Sequence, residues 1–231
     1  MIDVRKSEDR GQADHGWLKT FHTFSSASYI DPKHTQFRAL RVINEDWIQG
    51  GQGFGTHPHE NMEIITYIIE GQLEHKDSMG TGSVIRPGEL QRMTAGSGVT
   101  HSEFNPSAGT THLLQIWIRP DEINLEPSYE QRDFSGKRIP NELILLASRN
   151  GRDGSLTVHQ DVEIFEARLE PGLSLEYTAQ ADRHLWIQLV KGRLSLNGTD
   201  LEAGDGAALS DEKNVTFLAA ENSEFLIFDL A

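Results

Sequence analysis

The stretch His57-Pro58-His59 places two imidazoles two residues apart. In a strand, residues i and i+2 point to the same face, so the two rings would project side by side. His101-Ser102-Glu103 repeats the spacing with a histidine and a carboxylate. Brought together in one barrel, the two strands would converge four ligands: His57, His59, His101 and Glu103. Neutral imidazoles with one carboxylate suit a divalent transition metal such as Fe, Mn, Ni, Cu or Zn, without choosing among them. Four protein ligands on a six-coordinate ion would leave two positions for substrate or oxygen.

An isolated His-x-His arises often by chance, and Pro58 could equally mark an edge strand or a turn. The surrounding residues narrow the choice. Gly51 stands six before His57, Gly98 three before His101, and Asn105 four after it. Gly-x5-His-x-His followed by Gly-x2-His-x3-Asn resembles the two-part pattern of a cupin barrel.

The elements that must carry these residues read as short strands. Residues 1–38 are a polar start followed by an aromatic-rich arm with Trp17, Phe21, Phe24, Tyr29 and Phe37, expected to cover a barrel. Residues 39–44 form a first strand, and the glycines of 49–55 a loop that permits close backbone approach or positive φ. From His57 to Ile69 alternate residues are polar at first and apolar beyond, so His57, His59, Asn61, Glu63 and Ile65 are expected on one face of a barrel wall. Gly71, Pro87-Gly88 and the run Ala95-Gly96-Ser97-Gly98 separate the later strands. Strands of this length with regular turn signals indicate an all-β barrel or sandwich. Residues 119–141 are polar and contain three prolines, as a connection between halves would. A second β-rich half comes after them.

That half repeats the first. His184 to Gly192 lies over Glu63 to Gly71, and Ala203-Gly204-Asp205 over Pro87-Gly88-Glu89. A gapless register then puts Phe217 at His101, Ala219 at Glu103, and Thr178 and Gln180 at the two clamp histidines. The expectation is a duplicated barrel: residues 1–125 a metal-binding barrel with its arm, residues 126–231 a second barrel without metal ligands. His15, His22, His159 and His184 read as ordinary polar residues.

Composition bounds the rest. The chain has 231 residues with a net charge of -14, 37% hydrophobic residues and no cysteine. It can bury a core, and disulfides and thiolate ligands are excluded. So acidic a chain is a poor candidate for binding a phosphate backbone, and no direct nucleic-acid partner is expected. No apolar run approaches the roughly 18 residues of a membrane span. The first residues lack the apolar core of a secretory signal, so the expected location is the cytoplasm.

Several stretches carry a resemblance to a known family: Asp14-His15-Gly16-Trp17-Leu18, Leu40-Arg41-Val42-Ile43-Asn44-Glu45-Asp46, Gly53-Phe54-Gly55-Thr56-His57-Pro58-His59, His75-Lys76-Asp77-Ser78-Met79-Gly80, and Gln91 through Asn105. They resemble the pirins, and most closely the bacterial pirin-like quercetin dioxygenases. The resemblance is dense over residues 14–120 and looser beyond 140. It implies an all-β bicupin, two double-stranded β-helix barrels with one metal in the first. It places the metal ligands on His57, His59, His101 and Glu103, with Fe(II) as the expected ion and Zn, Mn, Ni, Cu or Co as alternatives. Glu63 stands where many other cupins carry their carboxylate ligand; the pirin pattern assigns that role to Glu103 and leaves Glu63 to support a histidine from behind. The chain departs from the family pattern at Ser26 and at Glu60, which makes the mouth of the site more negative.

The implied activity is metal-dependent cleavage of a flavonol such as quercetin by O2, with release of carbon monoxide. Glu103 or a metal-bound hydroxide would take the substrate's proton, and Phe54 and Met62 would face a flat aromatic ligand. The alternative is a non-enzymatic regulator whose metal state governs binding to a transcription factor or metabolic enzyme. A monomer is expected in either case.

Overall fold

The computed structural model describes residues 2–231. Its regular structure is strand, with three 3-10 turns. Among the described residues no helix is long and apolar enough to cross a membrane. The chain divides into two compact units, each a cupin barrel: residues 11–135 with 156–160, and residues 1–10, 136–155 and 161–231.

The first unit pairs a large sheet with a small one. The large sheet runs in the order Ser128–Asp133, Glu89–Thr94, Glu63–Glu70, Thr111–Ile118, Leu40–Ile48, Leu18–His22 and Gly11–Asp14. The small sheet runs Gly53–His59, Val99–Phe104, Leu73–Asp77 and Gly82–Ile85. Glu63–Glu70 is central because its Ile-Ile-Thr-Tyr-Ile-Ile run can be buried on both faces. Alternate residues of the large sheet fill the barrel. Leu18, Ile48, Ile68 and Leu113 pack there with Leu73 and Ile85 of the small sheet, and Ile64, Met93, Ala95 and Val99 form a second cluster.

The second unit repeats the plan. Its large sheet contains, in order, Ile2–Arg5, Gly206–Ser210, His184–Lys191, Ser223–Leu230, Val162–Leu169 and Leu143–Ser148. Its small sheet contains Ser174–Thr178, Asn214–Ala219, Arg193–Leu196 and Thr199–Glu202. Its interior is filled by Leu185, Ile187, Leu189, Leu196, Phe217 and Phe225 among others.

The expected boundary at 125/126 shifts in both directions. Ile2–Arg5 pairs with Gly206–Ser210 and so belongs to the second unit. Ser128–Asp133, read as connection because it is polar, pairs residue for residue with Glu89–Thr94 as an edge strand of the first. An edge strand is held by backbone bonds and needs little apolar side chain, so its composition resembles that of a loop.

The duplication is present, but the gapless register fails at two loops. Gly71 and Gly192 anchor the comparison: both sit at φ near +83 and +84, each packed against a hydroxyl residue of the neighbouring strand, Thr111 or Ser223. From there His75 corresponds to Leu196, and their partners Glu103 and Phe217 correspond in turn. The turn before Val99 is two residues longer than its counterpart, so Val215, not Phe217, takes the place of His101. The loop before Glu63 is one residue shorter than its counterpart, so Tyr177 and Ala179, not Thr178 and Gln180, take the places of His57 and His59. A one-residue slip turns every side chain to the other face.

Candidate metal centre

The two histidine-bearing strands of the first unit are direct neighbours. Gly53–His59 pairs antiparallel with Val99–Phe104, and His57 lies opposite His101. The ring centroids of His57 and His101 are 4.4 Å apart, those of His57 and His59 4.8 Å, and those of His59 and His101 4.9 Å. One nitrogen of each ring lies within 4.8 Å of the others, and among the described residues this is the group with the spacing to hold a metal ion.

The donor atoms fit an ion. His57 Nδ1 lies 2.8 Å from the carbonyl oxygen of Gly55, which can only accept, so Nδ1 carries the proton and Nε2 a lone pair. His101 is 2% exposed, and its Nε2 is buried with no hydrogen-bond partner among the described residues. A buried polar atom without a partner calls for an explanation, and an ion shared with two other imidazoles supplies one. Burial first, then the neighbouring imidazoles, hold His59 down at about 4 and His101 at about 2. Both rings are therefore neutral at pH 7, as ligation requires.

Glu103 shares the buried face of its strand with His101 but stands apart from the imidazole group. A β-bulge between His101 and Glu103 sets Glu103 opposite Phe54 and breaks the even pairing of the two strands. The carboxylate is instead held by Gln115, whose Nε2 donates to Oε1 at 2.9 Å, and Gln115 accepts from Thr66 Oγ1 at 3.3 Å. Burial raises the Glu103 carboxyl to about 7. Asp46 is buried as well and is raised to about 7, by burial first and then by the charges of Glu103 and Glu45.

One expectation needs correction. Glu63 does not share the histidines' face. The chain turns at Asn61, with φ 49, and passes from the small sheet to the large one. Ile64, not Glu63, packs on the histidine side against Val99 and Trp117. Glu63 is fully buried and accepts from Thr94 Oγ1 at 3.1 Å, beside His159 Nδ1 at 3.3 Å and Arg92 Nε at 4.0 Å. Phe54 packs edge-on against Trp17 with centroids 5.2 Å apart, and Met62 joins the cluster of Ile64 and Met93. Neither lines the cavity of about 590 Å³ that opens beside His59, which Pro58, Glu60, Ser78, Val99 and Thr100 surround.

The sequence reading missed the residues behind the clamp. His101 Nδ1 lies 3.3 Å from His75 Nδ1, and His75 Nε2 lies 3.1 Å from Asp77 Oδ2. Both of these side chains are wholly buried. The signal was present in His75-Lys76-Asp77, a third pair of ligating residue types two apart in a strand. Trp117 was missed too; it stands edge-on to His59 with centroids 4.9 Å apart.

At the equivalent place in the second unit stand Tyr177, Ala179, Val215 and Phe217. Three offer no donor atom, and the Tyr177 hydroxyl is given to Asp229. Arg183 also binds Asp229 through Nε, at 2.5 Å, and Asp161 through Nη1, at 2.7 Å.

Comparison with known proteins agrees with this layout. A family model described as Pirin matches residues 3–118, and one described as the quercetinase C-terminal cupin domain matches residues 145–230. The chain is 49% identical to a quercetin 2,3-dioxygenase of Escherichia coli, covering 100% of this chain and 99% of the relative. It is 38% identical to a pirin-like protein of Caulobacter vibrioides, covering 100% of each. A bacterial pirin from Escherichia coli, solved in complex with nickel(II), superposes with a TM-score of 0.95 at 48% identity, covering 100% of this chain and 99% of that one.

Proposed function

The chain belongs to the pirin family, and from that membership we propose that it is a metal-dependent dioxygenase that opens the heterocycle of a flavonol such as quercetin with O2 and releases carbon monoxide. The observation that carries the reading is the convergence of three imidazoles, one with a buried ring nitrogen that has no hydrogen-bond partner among the described residues, beside a cavity of about 590 Å³, large enough for a three-ring ligand.

His57, His59 and His101 hold a single ion, which we take to be Fe(II). When bound, the ion supplies a Lewis acid and a template for substrate and O2. Glu103 does the proton chemistry. A carboxyl raised to about 7 is poised to accept the substrate's hydroxyl proton at neutral pH, on the oxygen that Gln115 leaves free. Pro58 and Val99 give the flat ligand apolar contact, while Ser78 and Thr100 offer hydroxyls. Glu60 at the same cavity disfavours anionic substrates and so favours delivery of the neutral flavonol. The second unit holds no ion, because the four corresponding positions lack the ligands.

The test is carbon monoxide release from quercetin under air, comparing iron-loaded protein with the His101→Ala variant. Metal-dependent release over many turnovers is expected from the first. The variant should remain folded, carry no metal and release nothing. No release from fully metallated protein, with several metals tried, would move the protein to the regulator class. A second variant separates the roles of the carboxylate. Glu103→Gln should keep its metal while turnover falls about a hundredfold, the usual range for a lost general base; loss of the metal would instead make Glu103 a ligand.

A further inference from the structure

We propose that Asp77, acting through His75, fixes the tautomer of His101 so that Nε2 presents a lone pair to the metal position before any ion arrives. The inference rests on the reading of the three imidazoles as a metal clamp and names the positioning residues behind its most buried member.

Counting donors and acceptors along the chain of contacts places each proton. Asp77 Oδ1 already accepts from the backbone N–H groups of Met79 at 2.9 Å and Thr81 at 3.0 Å. Its other oxygen, Oδ2, faces His75 Nε2 at 3.1 Å. A carboxylate can only accept, so His75 Nε2 carries the proton and donates. A neutral imidazole has one ring proton, and His75 spends it on Asp77, so its remaining nitrogen, Nδ1, bears a lone pair. His101 Nδ1, 3.3 Å away, must then be the donor of that pair. A neutral ring with its proton on Nδ1 has a lone pair on Nε2, the atom left without a partner. Each step leaves one choice, and the chain ends on the atom that faces the other two histidines. His57 reaches the same state by a shorter route, through the Gly55 carbonyl. Tyr129 packs at a tilt against His75, with ring centroids 4.9 Å apart and planes 34° from parallel. Such partners behind a ligating histidine orient the ring and raise its basicity.

The same geometry makes Asp77→Asn a reversing substitution. The two backbone N–H groups would hold the new carbonyl oxygen where Oδ1 is now and turn the amide NH2 toward His75. His75 Nε2 would become the acceptor, its Nδ1 the donor, and His101 Nδ1 the acceptor in turn. The proton of His101 would move to Nε2 and block the metal position. The fold keeps all its hydrogen bonds, so the variant changes the direction of the chain and little else.

The experiment is a ring-nitrogen correlation spectrum of the full-length chain, freed of metal by chelation, for the wild type and for Asp77→Asn. Nickel(II) affinity is then measured by competition titration on the same samples. The wild type should show His101 protonated at Nδ1. The variant should show it protonated at Nε2, with nickel affinity lower by about tenfold or more and unchanged thermal unfolding. A wild-type His101 protonated at Nε2, or a variant with an unchanged tautomer, would overturn the proposal. A switched tautomer with unchanged nickel affinity would overturn its consequence for the metal. Should Asp77→Asn misfold, His75→Leu keeps both backbone bonds of Asp77 and removes the acceptor; a mixture of His101 tautomers is then expected, and a single unchanged one overturns the relay. The clamp itself is judged apart from all of these, by nickel binding in His101→Ala.

Discussion

Burial raises two carboxyls inside the first barrel, Asp46 and Glu103, to about 7. Asp46 lies on the strand Leu40–Ile48, is 5% exposed, and has an Oδ1 with no partner among the described residues. Its folded value near 7 lies above the ordinary 3.8. Between those two values the unfolded chain has released a proton that the folded chain keeps. This group therefore favours folding below about pH 4, and that contribution is lost as pH rises through about 7. Asp46→Asn removes the charge that must form inside the barrel. We expect the metal-free variant to gain over the wild type as pH rises from 5 to 8, by on the order of 1–3 kcal/mol, read from chemical unfolding at both pH values. An equal difference at both would show that Asp46 ionises as freely folded as unfolded. The three clustered histidines were legible at this scale because residue type and spacing alone single them out. Asp46 and Gln115 were not, since a buried polar residue and an exposed one look alike in a sequence.

At the scale of elements, the site depends on how closely two strands approach. Gly53 opens the first histidine strand and faces Glu103 and Phe104; a Cβ there would lie 2.2 Å from the Glu103 carbonyl oxygen. Backbone cannot step aside as a flexible side chain can, so Gly53→Ala must push the two ligand-bearing strands apart. The expected result is a loss of stability of about 1–3 kcal/mol in thermal unfolding, together with weaker nickel binding. Unchanged metal affinity would mean that the clamp forms independently of the strand's first residue. The glycine loop was readable as a place of close approach, but not which backbone approached it. The bulge after His101 was unreadable, because it depends on the pairing partner. For the same reason Glu63 was put on the wrong face: the two-residue period from His57 holds only while the chain stays in one strand, and it breaks at Asn61.

At the scale of the molecule, each barrel folds around its own core, and the chain's first strand completes the second barrel. Ile2–Arg5 pairs with Gly206–Ser210, Lys6 Nζ binds Asp205 Oδ2 at 2.8 Å, and the Ser7 backbone N–H donates to Asp205 Oδ1 at 2.7 Å. Removing residues 1–7 should therefore lower the unfolding temperature of the second unit while leaving one metal per chain bound to the first. Metal analysis beside calorimetry would check this; loss of metal would tie the clamp to the integrity of the second barrel.

The order of residues along the chain was enough to settle the all-β class, the duplication, the family and the three histidines. The class and the histidine cluster rest on short-range periodicity and spacing within single strands, the duplication on a repeat between the halves, and the family on motifs that resemble the pirins. Which sheet each strand joins, which positions of the second barrel replace the ligands, and what stands behind His101 were decided only in three dimensions. Loops of unequal length shift register without trace in a gapless comparison. The contact between His75 and His101 joins residues 26 apart that folding, not proximity in the chain, brings together.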